Sequence, residues 1–174
     1  MRSLISTIAA CAALFAAPLA AQTTLIHAGS VIRDADSAPS GPATIMVSEG
    51  RITGIEDGHR APTGEDRVID LANKTVLPGL IDLHVHLTGD PGGDFWKEAT
   101  EADEWAVVVG AKNARVTALA GFTTVREAGS GPQSAFALRR GTAEGLISGP
   151  RIVAAGPALA IIGGHGDVNA SVRT

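Results

Sequence analysis

The stretch PGLIDLHVHL, Pro78 to Leu87, decides how the rest of the chain is read. Its composition is that of a buried β-strand, yet it carries two histidines with one residue between them. Successive side chains of a strand point to opposite faces. Ile81, Leu83, Val85 and Leu87 therefore share one face, and Asp82, His84 and His86 share the other. On a surface strand the polar face would meet water. In a parallel sheet both faces are covered, and a buried Asp-His-His stripe must be satisfied by something. A divalent cation satisfies it, because imidazoles at i and i+2 project in parallel and can share one ion. Asp82, one step deeper, is placed to orient a histidine from behind. The competing reading of a bare His-x-His is a hydrogen-bonded pair without metal. The Pro-Gly lead-in, the regular alternation and the parallel-sheet context favour the metal.

That context comes from the residues downstream. TGDPGGD is a Gly/Pro loop, and Phe95 to Ala120 then reads as one long helix, with Trp105, Val108, Val109, Ala111, Val116 and Leu119 at helical spacing and Gly121 as its stop. FTTVREAG is a strand, PQSAFALRRGTAEG a short helix, PRIVAAG a strand, and IIGGHGDVNAS a glycine-rich loop. Strand, helix, strand, helix, strand implies a parallel sheet with right-handed crossovers. A doubly wound sheet and a (β/α)8 barrel both fit. A nucleotide-binding fold ranks last, since no glycine fingerprint follows a first strand.

Upstream the character is all-β. Thr24 to Asp36 reads as a strand, a turn at Ala28-Gly29 and a second short strand; residues 37–42 are a loop. ATIMVSEGRITGIED alternates through a hairpin turn at Glu49-Gly50, and RVIDLANKTV adds a strand and a turn at Ala72-Asn73-Lys74. The expected division is a signal peptide over 1–21, a β-sandwich segment over 22–75, and the start of a (β/α) barrel over 76–174. One positive charge, an Ala-rich apolar run and the small residues of AAQ form the signal-peptide pattern. Export to the periplasm or beyond is the expectation, with no stable membrane anchor after cleavage. The run is shorter than the roughly 20 residues a spanning helix needs. Cys11, within IAAC, loosely matches a lipoprotein box but lies early in the apolar run, so ordinary cleavage is favoured. It is the single cysteine, so after cleavage any metal would need nitrogen or oxygen ligands. With 14 Lys+Arg against 18 Asp+Glu, the chain shows no basic patch of the kind nucleic acid requires.

These motifs together resemble the amidohydrolase superfamily. LPGLIDLHVHL looks like its first barrel strand, AGFTTVREAG like its second, and GPRIVAAGPALAIIGGHGD like its third strand and following loop. The match is strongest to the imidazolonepropionase-like and Xaa-Pro dipeptidase-like branch, and the upstream β-segment resembles the small sandwich that flanks the barrel. The resemblance implies a metal-dependent hydrolase of amide or other C–N bonds, with one or two divalent ions, zinc foremost. His84 and His86 match its first-strand ligand pair. It implies a small-molecule or dipeptide-like substrate; homo-oligomerisation is left open. His165, between glycines after the third strand, is a candidate substrate contact, with Asp167 beside it read as a turn residue. Arg126 and Glu127 fall on opposite faces, and a structural salt bridge to a neighbouring strand is the preferred reading. His27 and His59 are given no chemistry, and Trp96 and Trp105 are read as packing anchors.

A (β/α)8 barrel takes about 250 residues. Three barrel strands with two ligands make an N-terminal portion that is expected to be inactive alone, with general acid/base and further ligands beyond residue 174. A non-catalytic exported binding module built on the same fold is the alternative.

Overall fold

The computed structural model describes residues 22–92, 100–162 and 164. They form a mixed α/β structure in two compact units that divide between Leu77 and Pro78. The expected signal peptide, Trp96, His165 and Asp167 lie outside the described residues.

The first unit is one four-stranded sheet in the order β3-β2-β1-β4, built from β1 (Thr24–Val31), β2 (Ala43–Ser48), β3 (Arg51–Asp57) and β4 (Arg67–Val76). β1 pairs antiparallel with β2 and parallel with β4, and β2 pairs antiparallel with β3. A single sheet stands among the described residues where the sequence suggested a small sandwich. Ala28, Val31, Ala43 and Ile45 form its buried core, with Ile26, Val47, Ile55 and Val76 packed on it. The β2–β3 turn falls at Glu49-Gly50, both at positive φ (51° and 71°), as a two-residue hairpin of this hand requires.

Two expected turns are absent. β1 runs through Ala28-Gly29 and β4 through Ala72-Asn73-Lys74, and the two sites face each other as one irregularity. The register passes from Ala28 opposite Leu71 to Ser30 opposite Thr75, so Gly29 alone faces three residues. A Cβ on Gly29 would lie 2.3 Å from the Ala72 carbonyl oxygen. The small residues that mimic a turn in the sequence are there to let two strands close over a bulge. His27 and His59 stack with ring centroids 5.0 Å apart. Their Nε2 atoms meet the Arg60 and Ala28 carbonyls at 2.9 Å each, which ties the segment after β3 to β1.

The second unit alternates β5 (Leu80–Val85), α1 (Asp103–Leu119), β6 (Phe122–Glu127), α2 (Ser134–Ala143) and β7 (Arg151–Ala154). The strands are parallel and lie in the sequential order β5-β6-β7. The core is Leu87, Ala114, Val125, Leu138 and Ile152, joined by Val85, Val107, Ala111, Phe122, Ile147 and Ala154.

α1 departs from the expected helix over 95–120 in two ways. Ala102 is extended (ψ 142°), so the helix begins at Asp103, and Asp103 and Glu104 place negative charge in its first turn. No glycine or proline marks that break. The side of α1 that is buried is also not its bulky one. Gly110 and Ala114 are buried, whereas Val108, Val116, Leu119 and Trp105, the expected anchor, are exposed, Trp105 by 51%. The cause is the close approach of α2: a Cβ on Gly110 would lie 2.2 Å from Leu138 Cδ1. Only small residues fit between the helices there.

Candidate metal site at the strand ends

The site lies where β5, β6 and β7 end together. Their exit segments are tied by main-chain bonds, Ala128 N–H to the Val85 carbonyl (3.0 Å), Ala155 N–H to the Glu127 carbonyl (3.0 Å) and Ser130 N–H to the Gly156 carbonyl (3.2 Å). In sheets of parallel strands, this carboxyl end is where ligands bind.

β5 enters beside Thr123, so close that a Cβ on Gly79 would lie 2.1 Å from Thr123 Cγ2. The strand is not the regular ribbon that its alternation suggests. Asp82 faces Val125 and Val85 faces Glu127, three steps on β5 against two on β6. In this irregular stretch the Asp82 carboxylate accepts the His84 main-chain N–H at 3.0 Å. Asp82 thus braces the backbone of a histidine, where the alternation had aimed it at a ring.

His84 and His86 do converge. Their rings meet edge to face with centroids 5.1 Å apart, and the two Nε2 atoms are 3.2 Å apart. His86 Nδ1 lies 3.1 Å from the Gly129 carbonyl oxygen. A carbonyl only accepts, so Nδ1 carries a proton, and in the neutral ring Nε2 presents a lone pair. The bond between the rings then runs from His84 Nε2–H to His86 Nε2. A cation can take the place of that shared proton. Two ligands at the usual Zn–N length of about 2.0–2.1 Å in tetrahedral array sit about 3.3 Å apart, so the spacing of this pair fits one ion. Among the described residues no group of three or more His, Cys, Asp or Glu side chains is gathered in metal-binding range.

Glu127 is fully buried. Its Oε2 accepts the Leu87 N–H at 2.5 Å, tying the end of β6 to the end of β5. Its Oε1 has no hydrogen-bond partner and lies 3.6 Å from His86 Nδ1. Burial pushes the Glu127 carboxyl above the usual glutamate range, with the Leu87 amide and the imidazoles of His86 and His84 pulling the other way. The expected salt bridge to a neighbouring strand has a counterpart in the Glu127–His86 contact, ionic only when that ring is protonated, and the carboxylate also meets a main-chain amide, while Arg126 is exposed.

The segment after β5 is fastened by residues the sequence reading passed over. Asn113 on α1 donates to the Leu87 and Gly89 carbonyls, both at 2.9 Å, and Lys112 pairs with Asp90 at 2.5 Å. An amide on the otherwise small, buried side of a helix was the available signal for Asn113.

The model of the amidohydrolase family matches residues 75–173, more than half of the chain. The chain belongs to the amidohydrolase family. Among curated relatives, a dihydroorotase of Geobacillus kaustophilus is 40% identical over 81 residues, 47% of this chain and 16% of the relative. The ochratoxinase of Aspergillus niger is 31% identical over 155 residues, 85% of this chain and 31% of that enzyme. Among solved structures, a Xaa-Pro dipeptidase with methionine bound in its active site superposes with a TM-score of 0.72 at 34% identity, over 84% of this chain and 36% of that one. This amidohydrolase chain therefore spans about a third or less of the length of these relatives.

Proposed function

We propose that the protein is a metal-dependent hydrolase of amide or related C–N bonds, with a dipeptide-like or cyclic amide substrate. The observation that carries this is the 3.2 Å approach of His84 Nε2 to His86 Nε2 at the carboxyl ends of parallel strands. Family membership supports the chemistry, and the likeness to a Xaa-Pro dipeptidase supports the peptide-like substrate. The sequential order β5-β6-β7, with no reversal, is what the opening of a (β/α)8 barrel requires, and we read the second unit as its first three strands.

His84 and His86 would hold the ion through Nε2. Bound there, a divalent ion, zinc foremost, supplies acidified water and polarises a carbonyl. The protein's own residues do the positioning. Gly129 sets the proton of His86 on Nδ1. Asp82 braces the His84 main chain, and Asn113 with Lys112 holds the segment leaving β5. Catalytic zinc usually has three protein ligands, so we assign the remaining ligands and the general acid/base to further strands, and His165 to substrate contact. On this reading the 174 residues alone do not turn over substrate. The N-terminal pattern supports export.

The test is to isolate the protein from its native host, record its intact mass, and assay Xaa-Pro dipeptides with and without a chelator. The expected result is a mass larger by ~100 residues or more, a start near residue 22, and hydrolysis that the chelator abolishes and His84→Ala removes. Chelator-resistant hydrolysis would contradict the reading. A mass equal to residues 22–174 without hydrolysis would favour a binding module of the same fold.

A further inference from the structure

Glu127 presents a problem that the ligand pair alone does not solve. One carboxylate oxygen is used by the Leu87 amide, and the other is buried without a hydrogen bond of its own, with the Gly129 amide near enough to favour the charged form. An unpaired charge in such a place is costly unless an opposite charge lies near. The group facing it is the His86 ring, with Nδ1 at 3.6 Å. That separation is too long for a hydrogen bond but short for a charge interaction. On its far side the same ring presents Nε2 to His84. The ring therefore stands between a buried negative charge and the point where two lone pairs can converge.

We infer that Glu127 is a positioning residue for the metal pair. Its carboxylate and the Gly129 carbonyl together hold the His86 proton on Nδ1, leaving Nε2 bare for a cation. Its negative charge, fixed in place by the Leu87 amide, raises the affinity of the pair for a divalent ion. Carboxylates set behind a ligating imidazole commonly act in this way, and their loss costs about 10–100-fold in metal affinity. This rests on the proposed metal site. A purely structural Glu127 would serve only as an acceptor for the main-chain N–H groups of Leu87 and Gly129.

Glu127→Gln separates the two roles. The amide keeps an oxygen for Leu87 N–H, but turns an N–H2 group toward His86 Nδ1. The full chain is labelled with 15N, the ring tautomers are read by NMR in the metal-free state, and zinc is then titrated. The inference expects the variant to shift His86 toward the Nε2–H tautomer and to bind zinc ~10-fold or more weakly, with an unchanged circular dichroism spectrum. A folded variant with wild-type tautomer and affinity would overturn it. The wild type gives a second reading that needs no variant to fold: the Glu127 side-chain carboxyl 13C resonance should move as zinc binds, and a resonance that stays in place overturns the inference. Failure of the metal site itself looks different, because the wild type then binds no zinc while the tautomer comparison still tests Glu127.

Discussion

At the scale of single residues, the site is a set of opposed demands on a few polar atoms. Burial raises the Glu127 carboxyl above the ordinary glutamate range, so ionising it costs the metal-free fold some stability, which the Leu87 amide and the facing imidazoles partly offset. Its favourable contribution to stability is present below the ordinary glutamate pKa and is lost as pH rises through the raised one. Thermal melts in chelator should therefore show Glu127→Gln gaining on the wild type as pH rises from about 4 toward neutrality; a pH-independent difference would contradict this. Asn113 makes the opposite kind of contribution. Its side chain satisfies the Leu87 and Gly89 carbonyls, so Asn113→Ala should lower stability by ~1–3 kcal/mol in denaturant unfolding. The convergence of His84 and His86 was legible from their i, i+2 spacing. The aim of Asp82 was not, because the step between Asp82 and Val85 depends on pairing with β6.

At the scale of elements, packing is decided by the smallest residues. Leu138 of α2 is fully buried and seated over Gly110 of α1. Leu138→Ala should cost ~2–5 kcal/mol by leaving a cavity, and Gly110→Ala ~1–3 kcal/mol by forcing Leu138 aside; a chemical denaturation series measures both. The strand–helix alternation after Pro78 could be read from periodicity, because Gly121 and the glycine-rich loops punctuate it clearly. The start of α1 could not, since Ala102 carries no breaker signal. Nor could the inward side of α1, because apolar bulk at helical spacing does not distinguish the face toward a neighbouring helix from the face turned away. In the first unit Gly29 and Ala72-Asn73-Lys74 read as turns because a bulge and a turn call on the same small or polar residues. Only the partner strand tells them apart.

At the scale of the whole molecule, much apolar surface is left open. Ile81 and Leu83 on β5 are 62% and 71% exposed, and Val108, Val116 and Leu119 of α1 join them. In a barrel, β5 and β7 would each gain a further strand and the helices further neighbours. Open edges and apolar patches of this kind drive association. The 174 residues produced alone should therefore self-associate in light scattering, and Leu83→Lys should reduce this; a monodisperse monomer would contradict the open-barrel reading. Among the described residues no helix is long and apolar enough to cross a membrane. The claim on which the rest depends is that the paired imidazoles hold a divalent cation. The most direct test is metal analysis of the protein purified from its native host without chelator, beside His84→Ala and His86→Ala, with folding checked by circular dichroism. At least one equivalent of zinc or a similar ion in the wild type, lost in either folded variant, is the predicted result. Wild-type protein free of metal, or metal retained in full by both variants, would contradict it.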